Sequence, residues 1–375
     1  FDKDGRVDEE DLRHEVEWAI GFGVQGLGIA MASEIYKLTE KERDMVLNVV
    51  VDQAAGRAKI VMNTGAEGTD LSVIYSRRAE ELRKVGVEPL QLKFGGKFDW
   101  RTPRHIKKEI DAFRPDIVLS WMNRATAMCP AGDFVHVSRL GGYYDLKYYQ
   151  ACDHLIGNTE DIVSYVVEQG WPEEKAHYLP NFVTSKPEAP LERQEFYTPK
   201  MVPLFLCMGR LHENKGFDVM LKALTRVPNA YLWIAGEGAQ RQYLEDVAEV
   251  SGVKPRVRFL GWRNDVAALL ACCDVFVCPS RHEPLGNVLL EAWAHNRPVV
   301  AANSAGPNNL IEHLETGVLV PRDNVVMLAE ALRMVIDDND LCEHITRCGY
   351  ETYLEHFTEA VVIDKYLEFF DGILS

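Results

Sequence analysis

The chain has 375 residues, and its 57 acidic against 41 basic side chains give a net charge of −16. This acidic balance argues against nucleic acid as a partner, because nucleic-acid-binding proteins carry a basic surface. An apolar fraction of 47% is ordinary for a globular protein, and the length suffices for two or three domains. The sequence contains no run of about 18 apolar residues, so we expect no membrane-spanning helix.

Cysteine usage indicates a reducing compartment. The eight cysteines are scattered without a C-x-x-C pair, and several fall in apolar stretches such as 272–278. We therefore expect reduced, mostly buried thiols in a cytoplasmic protein. No signal peptide is recognisable, and because the chain begins at Phe1 we expect its natural start to lie upstream.

Residues 1–84 form the first predicted domain, in which helices alternate with strands. Such alternation is typical of βαβ units and a parallel sheet. The predicted elements are a helix over 8–20, a strand over 26–30, a helix from Thr39, a strand over 59–63 and a helix over 70–84.

Three stretches of this domain resemble the dihydrodipicolinate synthase family: 1–5 (FDKDG), 28–34 (GIAMASE) and 63–65 (NTG). Members of that family are TIM-barrel lyases with a Schiff-base lysine and a catalytic tyrosine. The resemblance ends after about two of the eight barrel strands, and neither catalytic residue has a counterpart later in the chain. A partial barrel cannot close around a site, so lyase activity is not expected.

Residues 85–195 are predicted to form a partial Rossmann-like domain. The predicted elements are a strand over 87–92, a helix over 102–113, strands over 115–120 and 154–157, and a helix from Asn158 to Gln169. A polar, proline-containing linker over 184–199 marks the next domain boundary. The junction with the first domain is predicted to fall within the helix near residues 75–82.

Residues 200–355 show a regular β/α series, and a C-terminal helix over 359–370 lies in the last predicted segment, 356–375. The predicted strands are 204–208, 231–235, 257–260, 275–278 and 299–301. Strands separated by helices in this way are typical of a doubly wound, Rossmann-like domain.

Two glutamates separated by seven residues stand out in the segment 283–291 (EPLGNVLLE). Pro284 and Gly286 favour a loop around Glu283, and a helix that begins near Gly286 would carry Glu291. A loop that leads from a strand into a helix is where doubly wound sheets bind phosphorylated ligands. The alternative is two ordinary glutamates at a helix start, where the helix dipole favours them.

A glycine-bounded loop, 209–216 (GRLHENKG), follows the first strand of the same domain. Arg210 and Lys215 place two cations beside a helix that is predicted to begin at Phe217. Cleavage of a sugar–diphosphate bond leaves negative charge on the phosphate, and fixed cations lower that barrier. A second glycine turn, 236–238, follows the next strand. The alternative is a solvated turn with two chance cations.

In this order and spacing, the segments from residue 85 to the end resemble the retaining, glycogen-synthase-like GT-B glycosyltransferases of group 1. The resemblance implies an α/β fold of two Rossmann-like domains, of which the N-terminal one is here incomplete or rebuilt by a TIM-barrel-derived segment. It implies catalytic roles for Arg210 and Lys215 on the donor diphosphate and for Glu283 beside the donor sugar. The expected donor-binding residues are Gly209, Gly236, Gly238, Pro284, Leu285, Gly286, Asn287, Val288 and Glu291, the last on the ribose hydroxyls.

Two details of the resemblance concern structure. Leu285 stands where the family usually has phenylalanine, a conservative change that should alter little. The turn 304–308 resembles a structural turn of the family on the far side of the sheet.

No metal and no cofactor are expected. The segment 338–340 (DND) has the Asp-x-Asp pattern of metal-dependent transferases of another fold, but it lies between predicted helices, where helix capping is the better interpretation.

The acceptor side is predicted from Arg124, which follows a strand, and from Tyr143 and Lys147 in the loop 139–147. Aromatic and polar groups on such a loop suit a carbohydrate or a lipid-linked acceptor; a packed surface loop is the equal alternative. A lipid acceptor would bring the protein into peripheral contact with the inner face of the membrane.

The sequence thus predicts a hexosyltransferase-type enzyme that moves a sugar from a nucleoside-diphosphate donor to a glycan or lipid-linked acceptor, with retention, in surface polysaccharide or lipopolysaccharide synthesis. The alternative is an inactive fusion that only binds the nucleotide-sugar.

Overall fold

The computed structural model describes Arg13, Glu17, residues 26–29, 59–62, Leu92 and 99–374 of the chain. The chain divides into two compact units, residues 1–92 and 93–375. In the first unit, strands β1 (Gly26–Ile29) and β2 (Lys59–Met62) pair in parallel, as predicted. Arg13 and Glu17 are helical, within the predicted 8–20 helix. The predicted helices from Thr39 and over 70–84 lie outside the described residues. Of the predicted strand over 87–92 only Leu92 is described, and it is not in a strand.

The second unit begins with a four-stranded parallel sheet, with the strand order β3-β4-β5-β6. This sheet is the first sheet of the second unit and is referred to below as the first sheet. Its elements are α1 (Arg101–Phe113), β3 (Ile117–Trp121), α2 (Met122–Met128), β4 (Val135–Leu140), β5 (His154–Gly157), α3 (Glu160–Glu168) and β6 (Ala176–Tyr178). Strands β4 and β6 were not predicted, and the loop expected from residue 139 begins only after Leu140. Three-residue β6 is too short for a periodic signal.

Strand β4 escaped prediction because its buried side chains are partly polar. Buried parallel strands usually read as continuous apolar runs, whereas His136 and Ser138 interrupt this one. Ser120 Oγ lies 2.9 Å from His136 Nε2, and Thr126 Oγ1 lies 2.6 Å from Ser138 Oγ. These side chains satisfy one another's hydrogen bonds, so the strand stays buried without an apolar pattern.

The second sheet has six parallel strands in the order β12-β11-β10-β7-β8-β9. Its elements are β7 (Leu204–Met208), α4 (Phe217–Leu224), β8 (Tyr231–Ala235), α5 (Arg241–Val250), β9 (Val257–Gly261), α6 (Val266–Cys272), β10 (Val275–Cys278), α7 (Asn287–Ala294), β11 (Val299–Ala302), α8 (Ala305–Leu310) and β12 (Val318–Val320). The five predicted strands agree to within one residue. The strand order reverses between β7 and β10. Sheets of this kind bind their ligands at the carboxyl ends of the strands that flank such a reversal.

Both faces of this sheet are buried, as the period of two along β7 shows. Phe205 and Cys207 enter one apolar core, while Leu204, Leu206 and Met208 enter the other. Burial on both faces explains why the donor-domain strands read as continuous apolar runs.

Three helices close the chain: α9 (Val325–Asp337), α10 (Asn339–His356) and α11 (Glu359–Leu374). Asp338 caps α10 by accepting from Leu341 N at 3.0 Å, which confirms the capping prediction. Helix α11 extends four residues beyond its predicted end at Phe370. Its Tyr366 and Phe369 pack on the first sheet. No helix in the described part of the chain is long and apolar enough to cross a membrane.

The eight cysteines carry free thiols, as expected, and five of them are buried; Cys129, Cys342 and Cys348 are only partly so. Burial raises the pKa of the Cys273 thiol to about 12, which keeps it neutral and unreactive.

Candidate active site

Two glycine turns meet at the carboxyl ends of β7 and β8. Leu211 N donates to Glu237 O at 2.8 Å, so the two turns are joined backbone to backbone. A Cβ at Gly236 would overlap the carbonyl oxygen of Gly209, and one at Gly238 would overlap that of Leu211. Glycine is therefore required by close approach as well as by positive φ angles. The predicted Gly209, Gly236 and Gly238 form one continuous backbone surface at this edge.

Lys215 and Glu283, two of the three predicted catalytic residues, form an ion pair. Lys215 ends a short 3-10 turn (Glu213–Lys215) before α4, and Glu283 lies in the loop between β10 and α7. Their side chains are 22% and 12% exposed, so the pair lies in a partly desolvated recess, where charge acts more strongly than on the surface. The third, Arg210, is exposed and makes no ion pair with any described residue.

Arg281 braces this recess, a role that sequence analysis missed. Its guanidinium donates to both carboxylate oxygens of Asp218, at 2.8 and 2.9 Å, and to Asp323 Oδ1 at 2.6 Å. A further bond to Glu213 O, at 2.8 Å, reaches the turn that carries Lys215. Arg281 therefore ties the loop after β10 to the loop after β7. A basic residue two positions before Glu283 was the available signal.

Burial by itself would raise the pKa of Asp218, but the hydrogen bonds from Arg281 and the charges of Arg281 and Lys222 lower it below its usual value. A depressed carboxyl pKa stabilises the fold above the pKa of the unfolded state, and that stabilisation is lost as the pH falls through the folded value.

We expect Arg281→Met to lower the free energy of unfolding by about 3 kcal/mol at neutral pH, because it leaves the buried Asp218 carboxylate with only its long 3.4 Å pair to Lys222. The loss should shrink in acid, where Asp218 is protonated. Arg347→Met is the matched control, since the Arg347–Glu351 pair is about 60% exposed on both sides and such pairs contribute at most about 1 kcal/mol. Urea titrations at several pH values measure both. Equal losses in the two variants would contradict the bracing role.

The loop that carries Glu283 leads directly into α7. Gly286 adopts a left-handed conformation (φ 86°) just before the helix, and Leu289 N donates to Gly286 O at 2.8 Å. The predicted Pro284, Leu285 and Val288 are half-buried here, while Asn287 is exposed. The expected helix start near Gly286 is confirmed.

The turn 304–308 does not lie on the far side of the sheet, as the resemblance had implied. Gly306 N donates to Glu283 O at 2.7 Å, and a Cβ at Gly306 would come within 2.6 Å of the Leu285 backbone. The reason is topological: β10 and β11 are adjacent and parallel, so the loops after them share one edge. This turn supports the loop that holds Glu283.

Glu291 lies on α7, one turn inside the helix, and is partly buried. Burial raises the pKa of its carboxyl to about 7. A group with such a pKa is present in both protonation states near neutral pH, and it binds hydroxyl donors more strongly when it is ionised.

The three predicted acceptor residues make no hydrogen bond, ion pair or ring contact with the donor loops within the described part of the chain. Tyr143 donates a hydrogen bond to Asp161 and meets the ring of Tyr165 edge to face at 5.4 Å. Lys147 pairs with Asp145 at 2.6 Å on the surface, and Arg124 is an exposed residue of α2.

A different set of residues links the first sheet to the start of α7. Arg139, 5% exposed, donates to Tyr366 Oη at 2.7 Å and to Asn181 Oδ1, and its guanidinium lies 4.6 Å from the ring of Trp121. Asn181 Nδ2 in turn donates to Asn287 Oδ1 at 2.8 Å, at the start of α7. The unpredicted Arg139 and Asn181 therefore hold Asn287 against the first sheet.

One group in the described part of the chain has ligand types and spacing suitable for a metal ion: Glu315, His344 and Cys348. His344 Nε2 already lies 2.8 Å from Glu315 Oε2, so an ordinary hydrogen bond accounts for their closeness. None of the three is a predicted donor-site residue.

Comparison with known proteins identifies the class to which this fold and site belong. A family model of glycosyl transferases group 1 matches residues 202–338, and a model of the dihydrodipicolinate synthetase family matches residues 1–90. The lipopolysaccharide core biosynthesis glycosyltransferases LpsE and LpsD of Rhizobium meliloti (strain 1021) are 36% and 35% identical to this chain, over 71% and 72% of it and 78% of each relative. The chain belongs to the group 1 glycosyltransferases.

Solved structures show the same fold. A glycosyltransferase from Rickettsia africae ESF-5 superposes with a TM-score of 0.70 at 18% identity, over 94% of this chain and 98% of that one. Anabaena Alr3699/HepE in complex with UDP and glucose gives a TM-score of 0.68 at 19% identity, over 92% and 98%. The predicted GT-B architecture with parallel sheets is thereby confirmed.

Proposed function

We propose that this glycosyltransferase moves a hexose from a nucleoside-diphosphate sugar to a glycan or lipid-linked acceptor, with retention of the anomeric configuration. The observation that carries the proposal is the Lys215–Glu283 pair, which lies at the strand-order reversal between the glycine turns and the start of α7. Doubly wound sheets bind their phosphorylated ligands at this position.

In the proposed reaction the bond between the anomeric carbon and the β-phosphate oxygen breaks, and a bond to an acceptor hydroxyl oxygen forms. The hydroxyl proton passes to the departing phosphate, which leaves as the nucleoside diphosphate. Arg210 and Lys215 stabilise the charge that develops on the departing phosphate. Glu283 lies beside the donor sugar, and Glu291 accepts hydrogen bonds from the ribose hydroxyls. With two cations at the phosphate, the reaction requires no metal ion.

Three similar proteins support the choice of substrates. LpsE and LpsD are named for lipopolysaccharide core biosynthesis, which suggests a growing core oligosaccharide as acceptor. Alr3699/HepE has been solved with UDP-glucose, which makes uridine diphosphate the first nucleotide to test.

The test is calorimetric titration with uridine and guanosine diphosphates. We expect one of them to bind the wild-type chain, and the binding to be lost in the Arg210→Ala/Lys215→Ala variant. Lys254→Ala/Arg347→Ala is the matched control, because it also removes one lysine and one arginine, here from exposed surface pairs. This variant should bind the nucleotide normally. No binding of either nucleotide to the wild type, or equal binding by both variants, would refute the proposed donor site.

A second candidate is an inactive fusion that only binds the nucleotide-sugar. It is favoured by the match of residues 1–90 to a lyase family. In the GT-B glycosyltransferases that the chain resembles, the acceptor-side domain begins in this place. Formation of a glycosylated product from donor and lipopolysaccharide core decides between the two, and the anomeric configuration of that product tests retention.

A further inference from the structure

Arg139 is a buried cation that lacks an anionic partner. It is 5% exposed and lies in β4, one residue before the carboxyl end of that strand. It forms no ion pair with any residue that the structure describes, and its hydrogen bonds go to two neutral groups, the Tyr366 hydroxyl and the Asn181 amide oxygen. Burial raises the pKa of Tyr366, so this hydroxyl supplies no negative charge. A buried charge without a counter-charge costs free energy.

One nitrogen of this guanidinium is held in place for a further partner. Nε donates to Tyr366 Oη at 2.7 Å, Nη2 donates to Asn181 Oδ1, and the guanidinium lies 4.6 Å from the ring of Trp121. These contacts fix the plane of the group, and Nη1 makes no hydrogen bond within the described part of the chain. The described side-chain atoms that are both sealed from solvent and unpartnered are Tyr149 Oη, Asn158 Oδ1, His295 Nε2 and Ser304 Oγ. Nη1 is not one of these atoms, so it retains contact with solvent.

Arg139 lies on the other sheet from the two cations that are proposed to hold the donor diphosphate. The carboxyl ends of parallel strands form the edge at which α/β sheets bind ligands, and Arg139 is at this end of β4. Asn181, which accepts from Arg139, donates to Asn287 Oδ1 at 2.8 Å, at the first residue of α7. Arg139 is therefore two hydrogen bonds away from the helix that follows the Glu283 loop.

The charge of the donor does not require Arg139. A diphosphate esterified at both ends carries two negative charges, which Arg210 and Lys215 balance in the proposed reaction. An anion that reaches Arg139 from the first-sheet side therefore comes from the acceptor. A guanidinium binds carboxylate and phosphate through strong, charge-assisted hydrogen bonds, and both groups occur on sugars.

We propose that Arg139 binds a carboxylate or phosphate group of the acceptor, with Nη1 donating to one of its oxygens, so that the enzyme selects an acidic or phosphorylated glycan. The inference rests on the proposed function, because it assigns the anion to the acceptor of that reaction. Lys147, a cation predicted on the acceptor side, is paired with Asp145 instead. Arg139 is the buried cation that this side provides without such a partner.

Arg139→Gln tests the assignment, because its amide can still donate to a neighbour but carries no charge. Calorimetric titration compares glucose 6-phosphate, glucuronate and uncharged glucose as probes, in excess UDP that occupies the donor site. We expect the wild type to bind one of the two anionic sugars at least about tenfold more tightly than glucose, the factor for one charge-assisted hydrogen bond. Arg139→Gln should lose this preference.

Two further variants complete the test. Arg139→Lys keeps the charge without the planar fork and should retain part of the preference, so it provides the readout if Arg139→Gln folds poorly. Arg347→Gln removes an arginine from an exposed surface pair and should behave as the wild type.

Equal affinity of the wild type for glucose and both anionic sugars would overturn the assignment, as would an unchanged preference in Arg139→Gln. A loss of UDP affinity of about tenfold in Arg139→Gln would also overturn it, because the guanidinium would then serve the donor diphosphate. The two proposals fail separately. UDP binding without a preference for anionic sugars refutes this inference alone. Arg139-dependent binding of an anionic sugar without UDP binding refutes the donor site and leaves Arg139 as an anion-binding residue.

Discussion

Replacement of Lys215 by alanine is expected to lower the rate of sugar transfer about 10²- to 10³-fold, the loss typical when one fixed donor to a developing oxyanion is removed. Lys215 is held in a partly desolvated recess by Glu283, so its position is set before the donor arrives. A cation that needs no rearrangement contributes most when charge develops on the leaving phosphate.

Initial rates of nucleoside diphosphate release, measured with donor and acceptor at saturation, provide the test. Lys222→Ala is the matched control, because Lys222 lies on the next helix, its side chain is half exposed, and its pair with Asp218 is long, 3.4 Å. Lys215→Arg should recover part of the rate, since it keeps the charge but not the geometry. A rate for Lys215→Ala equal to that of Lys222→Ala would remove Lys215 from the catalytic machinery.

The affinity for the donor is expected to depend on pH through Glu291. Its carboxyl pKa of about 7 means that ribose hydroxyls, which bind the carboxylate better than the acid, should be held less tightly below neutrality. The affinity should fall by up to about tenfold for each pH unit below that pKa and level off above it. UDP-glucose is the suitable ligand, because its diesterified diphosphate has no group that titrates in this range.

Glu291→Gln should bind the donor weakly and without this pH dependence. Stability gives an independent readout with a defined sign. A carboxyl pKa raised from 4.5 to about 7 favours the protonated folded state, so the wild type loses stability as the pH rises between these values, by up to about 3 kcal/mol. Glu291→Gln should therefore be more stable than the wild type at pH 8 and comparable at pH 4.

Calorimetry and thermal melts between those pH values measure both effects. Glu249→Gln is the control, as its side chain is 67% exposed in a surface pair with Lys254. A pH profile that survives unchanged in Glu291→Gln would assign the ribose contact to another residue.

Hydrogen bonds connect the first sheet to α7, the helix that carries Glu291. Arg139 is buried and hydrogen-bonded to Asn181, and Asn181 holds Asn287 at the first position of α7. The same asparagine and Leu285 line a cavity of about 410 Å³. Asn181 therefore contacts both the first sheet, through Arg139, and the helix that carries Glu291.

Local patterns in the sequence determined most of the donor domain. The strands around Phe205, Trp233 and Phe276 are buried on both faces, so each reads as a short apolar run between glycine turns. The requirement for glycine at 209, 236 and 238 is equally local in origin, because only glycine permits these positive φ angles next to another backbone. These features need no knowledge of distant contacts.

Only the tertiary structure decided which distant groups meet. Lys215 and Glu283 are 68 residues apart, and their pairing depends on the adjacency of β7 and β10. The turn at Gly306 lies against the loop that carries Glu283 because β10 and β11 are also adjacent. Strand β4 was hidden because its polar side chains are satisfied by neighbours from other elements. Whether a buried polar group such as Ser138 finds a partner depends on its three-dimensional neighbours, and this leaves no mark in a one-dimensional pattern.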